Sequence, residues 1–465
     1  MNNTYFDLVD QTFYFPQEGF SLDENNRLLF HGIPLFDLIQ KYGTPLKLTY
    51  LPKIGAQIQK AHQLFEDAIA QYNYQGKYFY TYCTKSNHFK YVLDEVLQNI
   101  TNLETSSSFD IDLIWKLYQT GKINKKAVII NNGYKPHHYA KKVSELINDG
   151  FVNVIPVLDN IEEFAYYDKY VRLDNVNIGL RIATEEEPNF EFYTSRLGIR
   201  PAEAVQFYKD RLADNPKFKL KMLHFFVDTG IKDSIYYWSE LKKGLKTYCE
   251  LKKICPTLEA LNIGGGLPIR NSLSFEYDYA YMINEIVRLI KDACHAEGIP
   301  EPDIFTEFGK FTVGESAATI FSVIGSKKQN DAEQWYMIDN SLMTTIPDAW
   351  GIGERFILLP VNHWDKEYQR VNIGGISCDN SDYYNAEANM NQVFLPRPTE
   401  DEPLYIGFFH TGAYQDALSG YGGTKHCLIP SPKLILVDKN VRDEFVDWQA
   451  APEQTAESML KILGY

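Results

Sequence analysis

Lys85 lies in Tyr80-Thr81-Tyr82-Cys83-Thr84-Lys85-Ser86-Asn87-His88, where the apolar, aromatic run Lys77–Cys83 ends and a helix-like stretch begins near Phe89. An amine at the end of a strand can hold an aldehyde cofactor covalently. Gly264-Gly265-Gly266 follows another strand-like run. Consecutive glycines let backbone N–H groups approach a phosphate closely, and they serve equally as a tight turn. The Gly-Lys-Ser/Thr element of a Walker loop is missing. Glu307 ends a further apolar run. A carboxylate there needs a cationic partner, either a protonated ring nitrogen or Arg181 as a plain ion pair. Ser377-Cys378-Asp379-Asn380-Ser381-Asp382 sets a thiol beside two acids. The thiol can act as general acid or nucleophile, and the acids can bind a cation, although such clusters also build turns.

All of these but the Ser377–Asp382 cluster fall at the ends of a repeated strand-then-helix unit. Strand-like runs are Lys77–Cys83, Asn102–Glu104, Ala127–Asn131, Val152–Leu158, Asn177–Ile182, Lys219–Val227, Ala260–Gly264 and Ile304–Glu307. Helix-like stretches with apolar steps of three and four include Phe109–Gln119, His137–Asn148, Ile161–Tyr170, Ala202–Leu212, Tyr237–Leu251 and Tyr279–Ala296. Eight such units predict a parallel (β/α)8 TIM barrel, with an open doubly wound sheet as the alternative. The polar residues all follow strands, on the face where barrels place their sites. From about Val323 the pattern changes to short strands (Gln334–Ile338, Gly374–Cys378, Leu404–Phe409, Leu434–Val437), which predicts a separate β domain. Thr12–Phe15 and Leu28–Phe30 also read as strands. The expected organisation is an N-terminal segment (1–45) joining the β domain, a barrel (46–322) and the C-terminal β domain (323–465), with a surface loop at Gln329-Asn330-Asp331.

Composition narrows the function. The chain has 465 residues, 45% of them apolar and 23% charged, as in a soluble globular protein of two domains. No apolar run approaches the roughly 18 residues of a membrane span. The start, Met1-Asn2-Asn3-Thr4-Tyr5-Phe6-Asp7, lacks the basic and apolar regions of a secretory signal. The net charge of -15 disfavours nucleic acid and anionic membrane as partners and suits a cationic small molecule. Cys83, Cys249, Cys255, Cys294, Cys378 and Cys427 show neither a CxxC pair nor zinc-like spacing, which predicts reduced thiols in a cytoplasm and no metal.

In their order along the chain, Lys85, Gly264–Gly266, Glu307-Phe308-Gly309-Lys310, Cys378-Asp379 and Gly412-Ala413-Tyr414 resemble the fold type III pyridoxal-phosphate decarboxylases. That group holds the ornithine, diaminopimelate and biosynthetic arginine decarboxylases, with the alanine racemases more distant. The resemblance runs from about Gly43 to Val437. Ile346-Pro347-Asp348-Ala349-Trp350-Gly351-Ile352 followed by Leu358-Leu359-Pro360 is similar to the IPDxWGI and LP stretch of the arginine enzymes, and Gly407–Gln415 to their GxFxxGAYQ. The large arginine enzymes carry extra helical segments that this chain is too short to include.

The resemblance implies an alanine-racemase-like barrel that binds pyridoxal 5'-phosphate. Lys85 would link to the cofactor and later yield it to the substrate amine. Glu307 would keep the ring nitrogen protonated. Gly264, Gly265, Gly266, Thr229, Gly309, Lys310 and Tyr414 would cradle the phosphate, with Arg181 near the ring. Cys378 would reprotonate the α-carbon after CO2 leaves. Asp379, with Asp382, would pair with the distal cation of the substrate. The Cys–Asp segment of this family enters the neighbouring subunit's site, so a homodimer is implied. The chain departs from the family where His224-Phe225-Phe226-Val227-Asp228-Thr229 stands for a strand like HFHxGS, so Phe226 takes the place of the ring-stacking histidine and Asp228 that of a glycine. A phenyl ring still covers a pyridine face but makes no hydrogen bond. His224 reads as a packed strand residue. Phe308 replaces a proline, and Lys310 replaces an arginine and with it the bidentate fork.

Cys-Asp where the diaminopimelate enzymes carry Cys-Glu implies a substrate with a simple cationic tail. The IPDxWGI stretch favours L-arginine, converted to agmatine in polyamine biosynthesis, over ornithine or lysine. Asp382 sits at a spacing also found among diaminopimelate enzymes, so that substrate stays open. A catalytically idle regulatory homologue and a racemase are the remaining alternatives.

Overall fold

Between Gly55 and Thr312, eight strands close on themselves in chain order: Tyr78–Cys83, Leu103–Thr105, Ile129–Asn131, Val154–Leu158, Val176–Arg181, Phe218–His224, Ala260–Asn262 and Asp303–Phe308. All neighbouring pairs are parallel, and the last strand returns to the first through pairs such as Glu307 with Thr81. The closed ring decides for a barrel over an open sheet. The structure is a computed structural model that describes residues 3–185, 194–388 and 390–465. Met1 and Asn2 of the N-terminal segment lie outside them.

Inside the ring, Ile130, Ile155, Val157, Met222, Ala260 and Phe305 pack together, and Phe79 stacks on Phe305 with centroids 4.5 Å apart. Filling the interior with side chains makes the barrel a core rather than a pore, so chemistry is confined to its ends. The helices Ser108–Gln119, Ile235–Ile254 and Tyr279–Glu297 start on side-chain caps. Ser107 accepts from the Asp110 N–H, and the Asp110 carboxylate accepts from the Ser107 N–H, a reciprocal box that fixes the loop after the second strand.

Met1–Ile54, Ile269–Glu276 and Val313–Tyr465 form the second unit, which the N-terminal segment joins. Its ten-stranded mixed sheet places Leu46–Tyr50 between Ala317–Lys328, antiparallel, and Lys433–Lys439, parallel. Trp364, fully buried, donates to the Pro360 carbonyl at 2.8 Å and meets Tyr5 edge-on at 5.1 Å.

Most expected elements are present, among them His137–Asn148, Gln334–Ile338 and Leu28–Phe30 with the predicted bounds. Two expected strands are not. Tyr5–Thr12 is a helix, because Thr4 and Asp7 form a capping box three residues apart, and Phe13 is only its C-cap. The strand expected at Gly374–Cys378 is Tyr368–Gly374; past it the Gly375 N–H donates to the Asp382 carbonyl and the chain turns back. Two expected helices are composite: Ile161–Glu163 is a 3-10 turn before Phe164–Tyr170, and Pro201–Phe207 continues as a π-turn over Tyr208–Leu212. Gln329-Asn330-Asp331 lies in the hairpin turn between Ala317–Lys328 and Gln334–Ile338, where Asn330 accepts from the Ala332 and Glu333 N–H groups. Among the described residues no helix is long and apolar enough to cross a membrane.

Candidate active site

Lys85 stands on the single 3-10 turn Thr84–Ser86 that ends the first barrel strand. Its side chain is 46% exposed, so the amine is accessible from solvent. Its Nζ lies 3.3 Å from Glu104 Oε2, and Ser106 Oγ donates to Glu104 Oε1 at 2.9 Å. Glu104 is fully buried at the end of the second strand. The pair holds the amine at the barrel end.

Glu307 is buried at the end of the eighth strand. Its partners are amides rather than Arg181. Asn132 Nδ2 donates to both carboxylate oxygens at 2.9 and 2.8 Å, and Asn262 Nδ2 donates to Oε1 at 2.6 Å. His224 Nε2 is 3.9 Å from Oε2. Burial, then the charge of Arg181, pushes the His224 imidazole down to about 3, so it stays neutral. Arg181 sits with its guanidinium carbon 5.9 Å from the centre of the Phe226 ring, a cation–π arrangement. Burial lowers the Arg181 pKa, opposed by the charges of Asp159, Glu307, Glu104 and Asp228. The structure thus brings together Glu307 with its two amides and Arg181 with Phe226.

The glycine run is a close-approach device. Gly264 has φ +71°, and a Cβ there would lie 2.9 Å from the Phe225 carbonyl oxygen and 2.9 Å from the Phe226 ring. Gly266 has φ +94°, and a Cβ there would lie 2.7 Å from the Gly230 Cα. Both conformations are ones L side chains rarely adopt. The Gly264 N–H is taken by Asn262 Oδ1 at 2.9 Å. The run therefore packs against the segment carrying Phe226 and Thr229, and Asn262 ties it to Glu307. Gly265 adjoins the Glu307 carbonyl, and Gly309 packs on Ser86, beside Lys85. Lys310 opens the short helix Lys310–Val313. Thr229 is half-buried and Asp228 exposed.

The remaining candidates belong to the β-sheet unit. Tyr414 has φ +66° and precedes the helix Gln415–Leu418. The turn is pinned from behind: Gln415 Nε2 donates to Asp348 Oδ2 at 2.7 Å, and the Asp348 N–H donates to Gln415 Oε1 at 3.2 Å. The IPDxWGI and GAYQ stretches are thus one locked piece. Cys378 is exposed, with its Sγ 3.3 Å from Cys427 Sγ. The hydrogen bond with Cys427 pushes the Cys378 thiol above its ordinary value. Asp379 is exposed and accepts from the Ser381 N–H at 2.7 Å, which lowers its pKa. Asp382 departs from its expected role. It is buried and accepts from the Leu342, Met343 and Ser377 N–H groups at 2.8, 3.1 and 3.2 Å. Its carboxylate caps the helix Leu342–Thr345 and is committed to backbone.

Sequence reasoning missed Asn132, Asn262 and Glu104 as partners. Asn262 carried a signal, a lone amide in the apolar run Ala260–Gly264, and Asn132 and Glu104 were visible as polar residues following strands. Polar atoms without partners also gather here: Arg181 Nε, His224 Nδ1 and Asn132 Oδ1 are buried and make no hydrogen bond. Together with the glycine approach, they fit a bound group that has both an aromatic ring and an anionic end.

The model of the family described as pyridoxal-dependent decarboxylase, pyridoxal binding domain, matches residues 55–314. A biosynthetic arginine decarboxylase from Prochlorococcus marinus (strain MIT 9215) is 22% identical over an alignment of 560 residues, which covers 93% of this chain and 85% of that protein. The alignment is longer than the chain, so the relative carries segments without a counterpart here. The crystal structure of a biosynthetic arginine decarboxylase from Campylobacter jejuni matches with a TM-score of 0.80 at 20% identity, over 99% of this chain and 90% of that one. The diaminopimelate decarboxylase from M. jannaschii matches with a TM-score of 0.75 at 15% identity, over 96% and 98%.

Proposed function

We propose, from the premise that this chain belongs to the pyridoxal-dependent decarboxylases, that it removes CO2 from a cationic amino acid and that this amino acid is L-arginine, giving agmatine. The observation that carries the reading is Glu307, a carboxylate buried under two amides in the same barrel as Lys85. When bound, pyridoxal phosphate supplies an acceptor for the electron pair left by departing CO2. Lys85 Nζ provides the amine that anchors the cofactor. Glu307 provides the fixed negative charge that keeps a proton on the ring nitrogen, and its amides keep it from turning away. Phe226, backed by Arg181, covers one ring face. Gly264, Gly265, Gly266, Thr229, Gly309 and Lys310 receive the phosphate.

Two exposed residues complete the assignment. Cys378 delivers a proton to the α-carbon, and Asp379 pairs with the substrate's distal cation. Both act in the site of a neighbouring subunit, so the working enzyme is a homodimer, and its reduced thiols suit the cytoplasm. Arginine is favoured by the IPDxWGI and GAYQ similarity. Commitment of Asp382 to backbone removes the residue-level argument for diaminopimelate.

The test is a CO2-release screen of the reconstituted protein with arginine, ornithine, lysine and meso-diaminopimelate. The expected result is the highest kcat/KM for arginine, with release and the visible band of the lysine-held cofactor both lost in Lys85→Ala. A wild-type protein with no such band would be an idle homologue. Exchange of the α-proton without CO2 would make it a racemase.

A further inference from the structure

The decarboxylase reading uses Cys378 but gives no role to the two ligand residues beside it in the β-sheet unit, His426 and Cys427. Cys378 and Cys427 are 49 positions apart in sequence, yet their sulfurs are 3.3 Å apart. His426 adds a ring nitrogen, and the three potential ligand atoms all lie within 4.8 Å of one another. All three residues are exposed, and among the described residues this is the one such group. The turn that presents them is strained: Cys427 has φ +54° and Leu428 φ +52°, unusual for residues with a Cβ. Two thiolates on a tetrahedral ion stand about 3.8 Å apart at a metal–sulfur distance of about 2.3 Å, so the sulfurs need only a small separation.

We propose that Cys378, His426 and Cys427 bind a thiophilic divalent cation of the Zn2+ kind, with its fourth position open to water. Two thiols and a neutral imidazole take up one cation and release two protons to solvent, with no change of oxidation state. The consequence rests on the role proposed for Cys378: a sulfur bound to metal has lost the proton it would deliver, so the filled site silences decarboxylation.

The reconstituted holoenzyme is titrated with Co2+ under a non-thiol reductant. The expected result is one equivalent per chain, read as the visible d–d bands of a tetrahedral thiolate centre and bleached by Zn2+. Cys427→Ser should abolish the bands, and His426→Ala should weaken binding tenfold or more. The retained cofactor band serves as the check that each variant is folded. Absence of the bands in wild type, or bands unchanged in Cys427→Ser, overturns the proposal. Activity is read separately. Zn2+ should inhibit the wild type reversibly by chelator and leave the rate of Cys427→Ser, compared with that variant's own metal-free rate, unchanged. Cobalt binding at this cluster without inhibition by Zn2+ supports the metal site and removes Cys378 from proton delivery. Inhibition that persists in Cys427→Ser overturns the silencing.

Discussion

Asp379 and Asp382 stand three positions apart beside the same cysteine, and the fold gives them different work. Asp382 is spent on three backbone N–H groups, while Asp379 keeps an exposed carboxylate with one backbone contact. Asp382→Ala should therefore lower the urea midpoint, since buried N–H groups left without an acceptor cost about 1–3 kcal/mol each. Asp379→Ala should leave the midpoint unchanged and raise KM for arginine about tenfold, worth about 1.4 kcal/mol, with cofactor affinity preserved. An unchanged KM would take Asp379 out of the substrate site. At this scale the sequence reveals residue types better than partners. Glu307 was recognisable as a carboxylate needing compensation, and Arg181 was the cation in view. Its actual partners are Asn132, just past the third strand, and Asn262, at the end of the seventh, and they meet only through the curvature of the closed ring.

Elements were more legible than contacts because period is local and pairing is not. The eight barrel strands and the helices between them announce themselves through runs and steps of apolar residues. The two misread strands lie where side chains override that pattern, at the Thr4–Asp7 box and where the Asp382 carboxylate accepts from the Ser377 N–H. The glycine run was ambiguous between phosphate loop and tight turn, and its geometry sharpens the choice. Gly264 holds φ +71° with Phe226 packed against the space a Cβ would need. Gly264→Ala should push Phe226 away and strain the loop. Reconstitution followed by absorbance should show cofactor affinity at least tenfold weaker, while far-UV circular dichroism stays that of the wild type. Wild-type cofactor affinity in this variant would reduce the run to a plain turn.

Across the whole molecule, each of the two units carries its own acid-sensitive group. In the barrel, His224 is held neutral, with its pKa pushed by burial to about 3. In the β-sheet unit, burial lowers His31 to about 4, and its Nε2–H donates to the Glu315 carbonyl at 2.9 Å. Burial raises Glu315, but His410, Lys53 and the Arg270 N–H outweigh it and bring the carboxyl down to about 2. The sign is common to all three. Each binds a proton more readily in the unfolded chain, so unfolding takes up protons and stability falls as pH falls. For the histidines the loss begins near the ordinary value of 6.5 and continues to about 3 and 4, and for Glu315 it begins near 4.5 and continues to about 2. The urea midpoint should therefore drop steadily from pH 7 to pH 4, with His224 and His31 carrying the upper part of the fall. His31→Gln and His224→Gln should each flatten the curve above pH 4.5 and leave the Glu315 part below it. A midpoint independent of pH through this window would mean that these groups titrate alike in folded and unfolded chains, and that neither unit holds its histidine dry.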